Sequence, residues 1–215
     1  MSRDRAVASI QTATQTATQT AIKAAAGAAL IVLLALSPSR AWLEASLVGH
    51  VLVQMPLLAL SGWLFGDAFA FRFDDVMGRW NQGGGAGLVL SIFTALFWML
   101  PRSVDSAVQH AGYEALKFAS VPCAGAALAL SLQRTHALAR GVLKANLVSM
   151  LGVLAWLYTA SPVRLCNSYL RSDQEMLGAG MAFLAVVLSI NWGAGLLFGP
   201  SARPTRGGGA LSPAN

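Results

Sequence analysis

Six stretches of this chain are too apolar, and too poor in charge, to be half-buried elements of a water-soluble domain. They run over Ala21–Leu36, Trp42–Phe65, Gly87–Leu100, Val108–Leu132, Ala139–Ala160 and Met176–Phe198. A helix crossing a hydrocarbon core of roughly 30 Å needs about 20 mostly apolar residues. In lipid its backbone polar groups must also be satisfied within the segment, which favours helix. Of the 215 residues 55% are hydrophobic and 11% charged, against about 25% charged in average soluble domains. So few charges could not cover a water-facing surface. The expected fold is all-α, a polytopic transmembrane helical bundle of about six helices.

The expected domain organisation is a polar low-complexity tail over residues 1–20, a transmembrane domain over 21–199 and a disordered C-terminal tail over 200–215. The first tail repeats Gln11-Thr12-Ala13-Thr14 up to Thr20 and lacks apolar periodicity, as a loose tail or the frayed start of a helix would. Arg3, Arg5 and Lys23 precede the first apolar run as in a signal peptide. Ser37-Pro38-Ser39-Arg40 offers no small-residue cleavage site, so an uncleaved first helix is expected. Pro38, Pro101 and Pro162 mark helix ends, whereas Pro56 and Pro122 fall inside spans.

The net charge is +6. Its basic residues are scattered through loops and tails without a stripe of interleaved aromatics, so nucleic acid is not an expected partner. Arg3, Arg5, Lys23, Arg72, Arg79, Arg134, Arg140, Arg203 and Arg206 gather on the N-terminal side. Arg40, Arg102, Arg164 and Arg171 fall on the other. This asymmetry assigns both termini to the cytoplasm, and the loops Ser37–Arg40, Pro101–Ala107 and Ser161–Gln174 to the outside. Lys144 is expected to snorkel; Trp42, Trp63, Trp98 and Trp156 look like interfacial anchors. Cys123 lies in an apolar run and Cys166 in a loop, which argues against a disulfide between them.

Ionisable groups inside spans are costly and are functional candidates by default. His50 and Gln54, four apart, share one helix face. His110, Glu114 and Lys117 form a second polar stripe at the same depth, with Asp105 and Asp173 in the adjoining outer loops. Each has a structural reading beside the functional one. Glu114 and Lys117 would make an intrahelical ion pair, His50 a hydrogen-bonded packing residue, Met55 and Met99 apolar filler, and Cys166 an ordinary thiol. No His-Glu-x-x-His helix or Gly-x-Ser-x-Gly elbow occurs. Gly83-Gly84-Gly85 lacks the lysine of a phosphate loop, and there is no Cys-x-x-Cys-His haem motif. An enzyme is not expected.

Three segments, in order, carry a resemblance. His50-Val51-Leu52-Val53-Gln54-Met55-Pro56 looks like a His-x-x-x-His segment running into a proline-containing apolar stretch. Trp98-Met99-Leu100-Pro101 with Asp105-Ser106-Ala107 is similar to a Trp-His-x-Pro element ending in Asp-x-Ala, with Tyr113-Glu114 through Phe118 beside it. Asp173-Gln174 opens the last helix, followed by Gly178, Gly180 and Met181. This order resembles the CtaG family, membrane proteins associated with copper delivery to caa3-type cytochrome c oxidase. The resemblance implies a bacterial inner-membrane protein that assists oxidase assembly and presents copper at the periplasmic face. A respiratory oxidase subunit or a copper chaperone would be its partner, besides the lipid bilayer.

The departures are chemical. Gln54 and Met99 stand where histidines are expected, and the histidine beside Glu114 is missing. A thioether still suits Cu(I), whereas an amide does not. The implied site is His50 with Met99, helped by Met55 or Cys166. Gln54, Asp105, His110, Glu114, Lys117, Asp173 and Gln174 would orient the ligands or hold helices together. The alternatives are a metal-free scaffold or subunit of a respiratory complex, and a small-solute or proton transporter using the Glu114–Lys117 stripe.

Overall fold

The computed structural model describes residues 2–72 and 79–198; the expected tail over 200–215 lies outside them. Among the described residues there is no strand. The helices are α1 (Ser2–Ala35), α2 (Ser37–Glu44), α3 (Gly49–Ala68), α4 (Gly85–Met99), α5 (Pro101–Gln109), α6 (Ala111–Leu132), α7 (Ala137–Ala160) and α8 (Arg171–Phe198). Five of them, α1, α3, α6, α7 and α8, are long and apolar enough to cross a membrane, and α4 with α5 would make a sixth, bent by 74°. The chain is a multi-pass helical membrane protein.

The apolar runs located the spans but not their breaks. Trp42–Phe65 is not one helix: α2 ends at Glu44 and the span proper starts at Gly49. Val108–Leu132 is likewise divided, because His110 is extended (φ −130°, ψ 120°) between α5 and α6. The loops expected at Ser37–Arg40 and Pro101–Ala107 are short helices. Pro38 and Pro101 sit in their first turns, where a missing N–H leaves no bond unmade. Pro101 also bars helix at Leu100, which is extended and turns the chain between α4 and α5. Helix α1 runs back through the polar Gln-Thr repeat to Ser2.

Pro56 explains a further local feature. Its ring would clash with the carbonyl four residues back in a regular α-helix. The first six residues of α3, Gly49–Gln54, form a π-helical segment just ahead of it. The wider turn accommodates the proline without ending the span. His50 and Gln54 both lie in that segment.

At the centre, α3 and α6 approach backbone to backbone. A methyl group on Gly62 would stand 1.8 Å from the Pro122 carbonyl oxygen, and one on Gly125 2.0 Å from that of Ala59. Lipid tails are as apolar as leucine, so association in a bilayer relies on such close packing and on polar contacts. Helix α1 lies on α3 and α4 on α6. Helices α7 and α8 pack together and join the bundle where Leu151, Ala155, Leu177 and Met181 meet Leu47, Val51 and Val104.

Contacts between elements sort the loops onto two ends of the bundle. At one end Asp67 accepts hydrogen bonds from Lys23 and Gln133. At the other, Arg40 pairs with Glu114, Gln109 with Ser168, and Asp105 with the backbone of Asn167. The three segments expected on the outer side thus share one end of the bundle.

Candidate functional site

Beneath that second end lies a buried polar cluster built from α2, α3, α6 and the α7–α8 loop. Lys117 is fully buried, seven residues along α6. An ammonium has three donors and no acceptor, and three acceptors face this one. They are Glu44 Oε1 at 2.5 Å, Gln54 Oε1 at 3.0 Å and His50 Nε2 at 3.4 Å. Gln54, also fully buried, turns its amide nitrogen to the same Glu44 oxygen at 3.1 Å. The glutamine therefore bridges both members of the ion pair. Removing a buried charge's partner costs several kcal/mol, so full satisfaction is what makes the cluster tolerable. Among the described residues no buried side-chain nitrogen or oxygen lacks a partner.

The tautomer of His50 follows from its neighbours. Lys117 can only donate, so Nε2 must offer its lone pair and the ring proton sits on Nδ1. Nδ1–H then donates to the Tyr169 hydroxyl oxygen, 2.8 Å away. Both imidazole nitrogens are occupied.

Tyr169 reaches His50 because three side chains pin its loop. Asp105, on α5, accepts from the backbone N–H groups of Asn167 at 3.0 Å and Ser168 at 2.8 Å. Buried Gln174 accepts from the Leu165 N–H at 2.8 Å and donates to the Tyr158 carbonyl at 3.1 Å. Arg164 donates to the Tyr169 carbonyl at 2.6 Å. The expected supporting role of Asp105 and Gln174 is thus exerted on the loop backbone, and through Tyr169 on the histidine. Burial, and after it the Glu44 carboxylate, hold the Tyr169 phenol above its ordinary range, so it stays protonated. Cys166 in the same loop packs with its Sγ 3.7 Å from the Pro101 carbonyl. Burial and then the Asp105 carboxylate push its thiol up to about 11.

Glu114 and Lys117 are not each other's partner. Glu114 pairs with Arg40 and Lys117 with Glu44, both across to α2. The stripe on α6 is therefore one side of a two-rung clamp, which corrects the intrahelical pairing. His110 is exposed at the start of α6, its ring 6.2 Å from that of Tyr113. Asp173 is half-buried in the first turn of α8. Trp98 is no interfacial anchor: it is 2% exposed and its indole N–H donates to Ser120. Trp42 and Trp156 are exposed. Both cysteines are free thiols.

Sequence reasoning missed Glu44, Arg40 and Tyr169. A signal existed for the first, a carboxylate inside an apolar run six residues before His50. Tyr169 had none, since its role depends on the loop fold.

The residues do not fit a copper ion as they stand. Met99 and Met55 line an apolar cavity between α3, α4 and α6, a cavity to which His50 and Cys166 do not contribute. The one imidazole lone pair faces an ammonium, which repels a second cation. Among the described residues no three His, Cys, Asp or Glu side chains converge as a metal-binding group. Gln54, expected to be a lost ligand, is instead the bridge of an ion pair.

Fold and site together define a multi-pass membrane protein with a buried, fully paired ionic cluster at one end of its bundle. No family model, no curated protein and no solved structure matches the chain.

Proposed function

We propose that this chain is a metal-free membrane scaffold of the bacterial inner membrane, a divergent relative of the CtaG family. It assists assembly of a respiratory oxidase by offering a rigid periplasmic face and carries no copper itself. The observation that carries the reading is the fully buried Lys117 ammonium, bonded to Glu44 and Gln54 and facing the His50 lone pair. An internal cation fills the place among the polar side chains where a bound cation would have to sit. The cluster ties α2, α3, α6 and the Tyr169 loop into one surface. Buried polar groups of this kind hold helices together without any chemistry of their own.

Titration with Cu(I) of the protein purified in detergent tests the metal part. Wild type and His50→Ala are expected to take up copper alike, without a stoichiometric site; a one-to-one site lost in His50→Ala overturns it. Complementation of a deletion strain tests the scaffold part. Met99→Leu, which removes the expected thioether ligand and leaves the cluster intact, should restore the level of assembled oxidase, whereas Lys117→Met, which breaks the clamp, should not. Oxidase levels unchanged by the deletion would remove the oxidase from the proposal.

A further inference from the structure

The end of the bundle away from the Lys117 cluster carries a second polar site. Helices α7 and α8 part there around a cleft of about 900 Å³, lined by Arg140, Lys144 and Ser149 of α7 and by Ser189, Asn191 and Trp192 of α8. Arg140 gives its Nε–H to the Thr135 carbonyl at 2.9 Å, leaving its terminal nitrogens to other acceptors. Lys144 lies with its Nζ 5.3 Å from the centre of the Trp192 ring. Among the described residues neither cation has a carboxylate in ion-pair reach. Gly141 and Gly193 have open space where a side chain would stand, which keeps the walls clear.

Depth identifies the ligand class. Lys144 is seven residues into α7, about 10 Å below its start at 1.5 Å per residue. From there a lysine can extend its ammonium toward the lipid headgroups, and the end lies on the side that the basic residues assign to the cytoplasm. Deeper on the same wall of the cleft, Ala145 and Val148 are apolar. Two cations without a carboxylate partner among the described residues, together with hydroxyl and amide donors, suit a phosphate, and the apolar wall suits the acyl chains attached to it. We propose that the α7–α8 cleft is a binding site for the phosphate group of an anionic phospholipid. Basic pockets between helices on the cytoplasmic side recognise anionic headgroups by this chemistry.

The test uses the full chain in a neutral detergent with phosphatidylglycerol, phosphatidylcholine or inorganic phosphate added, read by native mass spectrometry and by the thermal midpoint. Phosphatidylglycerol should bind and raise the midpoint, and phosphatidylcholine should do neither. Arg140→Gln with Lys144→Gln should weaken phosphatidylglycerol about 30-fold, and Lys144→Gln alone about fivefold, from the share each cation contributes near a membrane. Arg171→Gln, at the opposite end, should leave it unchanged. The single variant decides the matter if the double one loses its helical circular dichroism. Equal binding of phosphatidylcholine, or retention of phosphatidylglycerol by the Lys144→Gln variant at wild-type affinity, would overturn the site. Inorganic phosphate displacing the lipid and binding alone as tightly would make it a free-anion site and overturn the lipid.

Discussion

Replacing Lys117 by Met asks what the buried cluster contributes. The lysine side chain is 0% exposed and that of Glu44 12%, so the pair is shielded but close to one end of the bundle. Removing one member of a buried ion pair costs about 3–5 kcal/mol, because the other charge is stranded. In Lys117→Met the Glu44 carboxylate keeps the Gln54 amide donor and some access to water. The expected loss is therefore at the low end, about 3 kcal/mol. Glu44→Gln leaves the ammonium with an amide oxygen, Gln54 and His50, and should cost about 2 kcal/mol. The double variant strands neither charge, so the two losses should fall short of additivity by about 2 kcal/mol, within the range for residues in one network. Reversible unfolding in mixed detergent micelles gives all four free energies. The exposed pair Arg171–Glu175, 53% and 54% exposed, is the control and should show coupling below about 0.5 kcal/mol. Additivity at Lys117 and Glu44 within about 0.5 kcal/mol would refute the claim that their contact stabilises the fold.

Three further outcomes follow from the geometry. Gly62→Ala must push α6 off α3, since its methyl would meet the Pro122 carbonyl oxygen; a loss of about 1–3 kcal/mol is expected. Gly152→Ala, on α7 with open space around it, should instead stabilise slightly, by about 0.4–1 kcal/mol, and the same unfolding assay compares them. The thiolate is the reactive form of cysteine, and Cys166 with its pKa of about 11 instead of 9.0 holds about a hundredfold less of it at pH 8. In a Cys123→Ala background, maleimide labelling should be correspondingly slow and should accelerate as pH climbs toward 11. Labelling at pH 8 as fast as that of a free thiol would contradict the buried, proton-bearing state.

The helical class and the position of the spans were legible because lipid imposes one requirement, a long apolar helix, and apolar runs report it directly. The breaks at Glu44–Gly49 and at His110 were not, because α2 and α5 are amphipathic pieces continuous in hydropathy with the spans they precede. The depth of the site was also legible: His50 and Gln54 on α3 and Lys117 on α6 do meet. The pairing was not. Two charges three apart on one helix suggest an internal pair, and nothing local to α6 argues otherwise.

The overlooked information lay in sign order. Arg40 and Glu44 are four apart on α2, and Glu114 and Lys117 three apart on α6, so each couple occupies one helix face. Along α2 the order is positive then negative, and along α6 negative then positive. Laid side by side, parallel in chain direction, the two couples match charge to opposite charge at both rungs, as Arg40–Glu114 and Glu44–Lys117 show. That complementarity requires α2 to be a separate piece free to lie over α6, which the extended Leu36 allows. The inner rung then needs Gln54 and His50, because an ion pair sunk into a bundle is stable only when its remaining donors and acceptors are met. Gln54 meets that demand at both members of the pair, accepting from Lys117 through Oε1 and donating to Glu44 through Nε2.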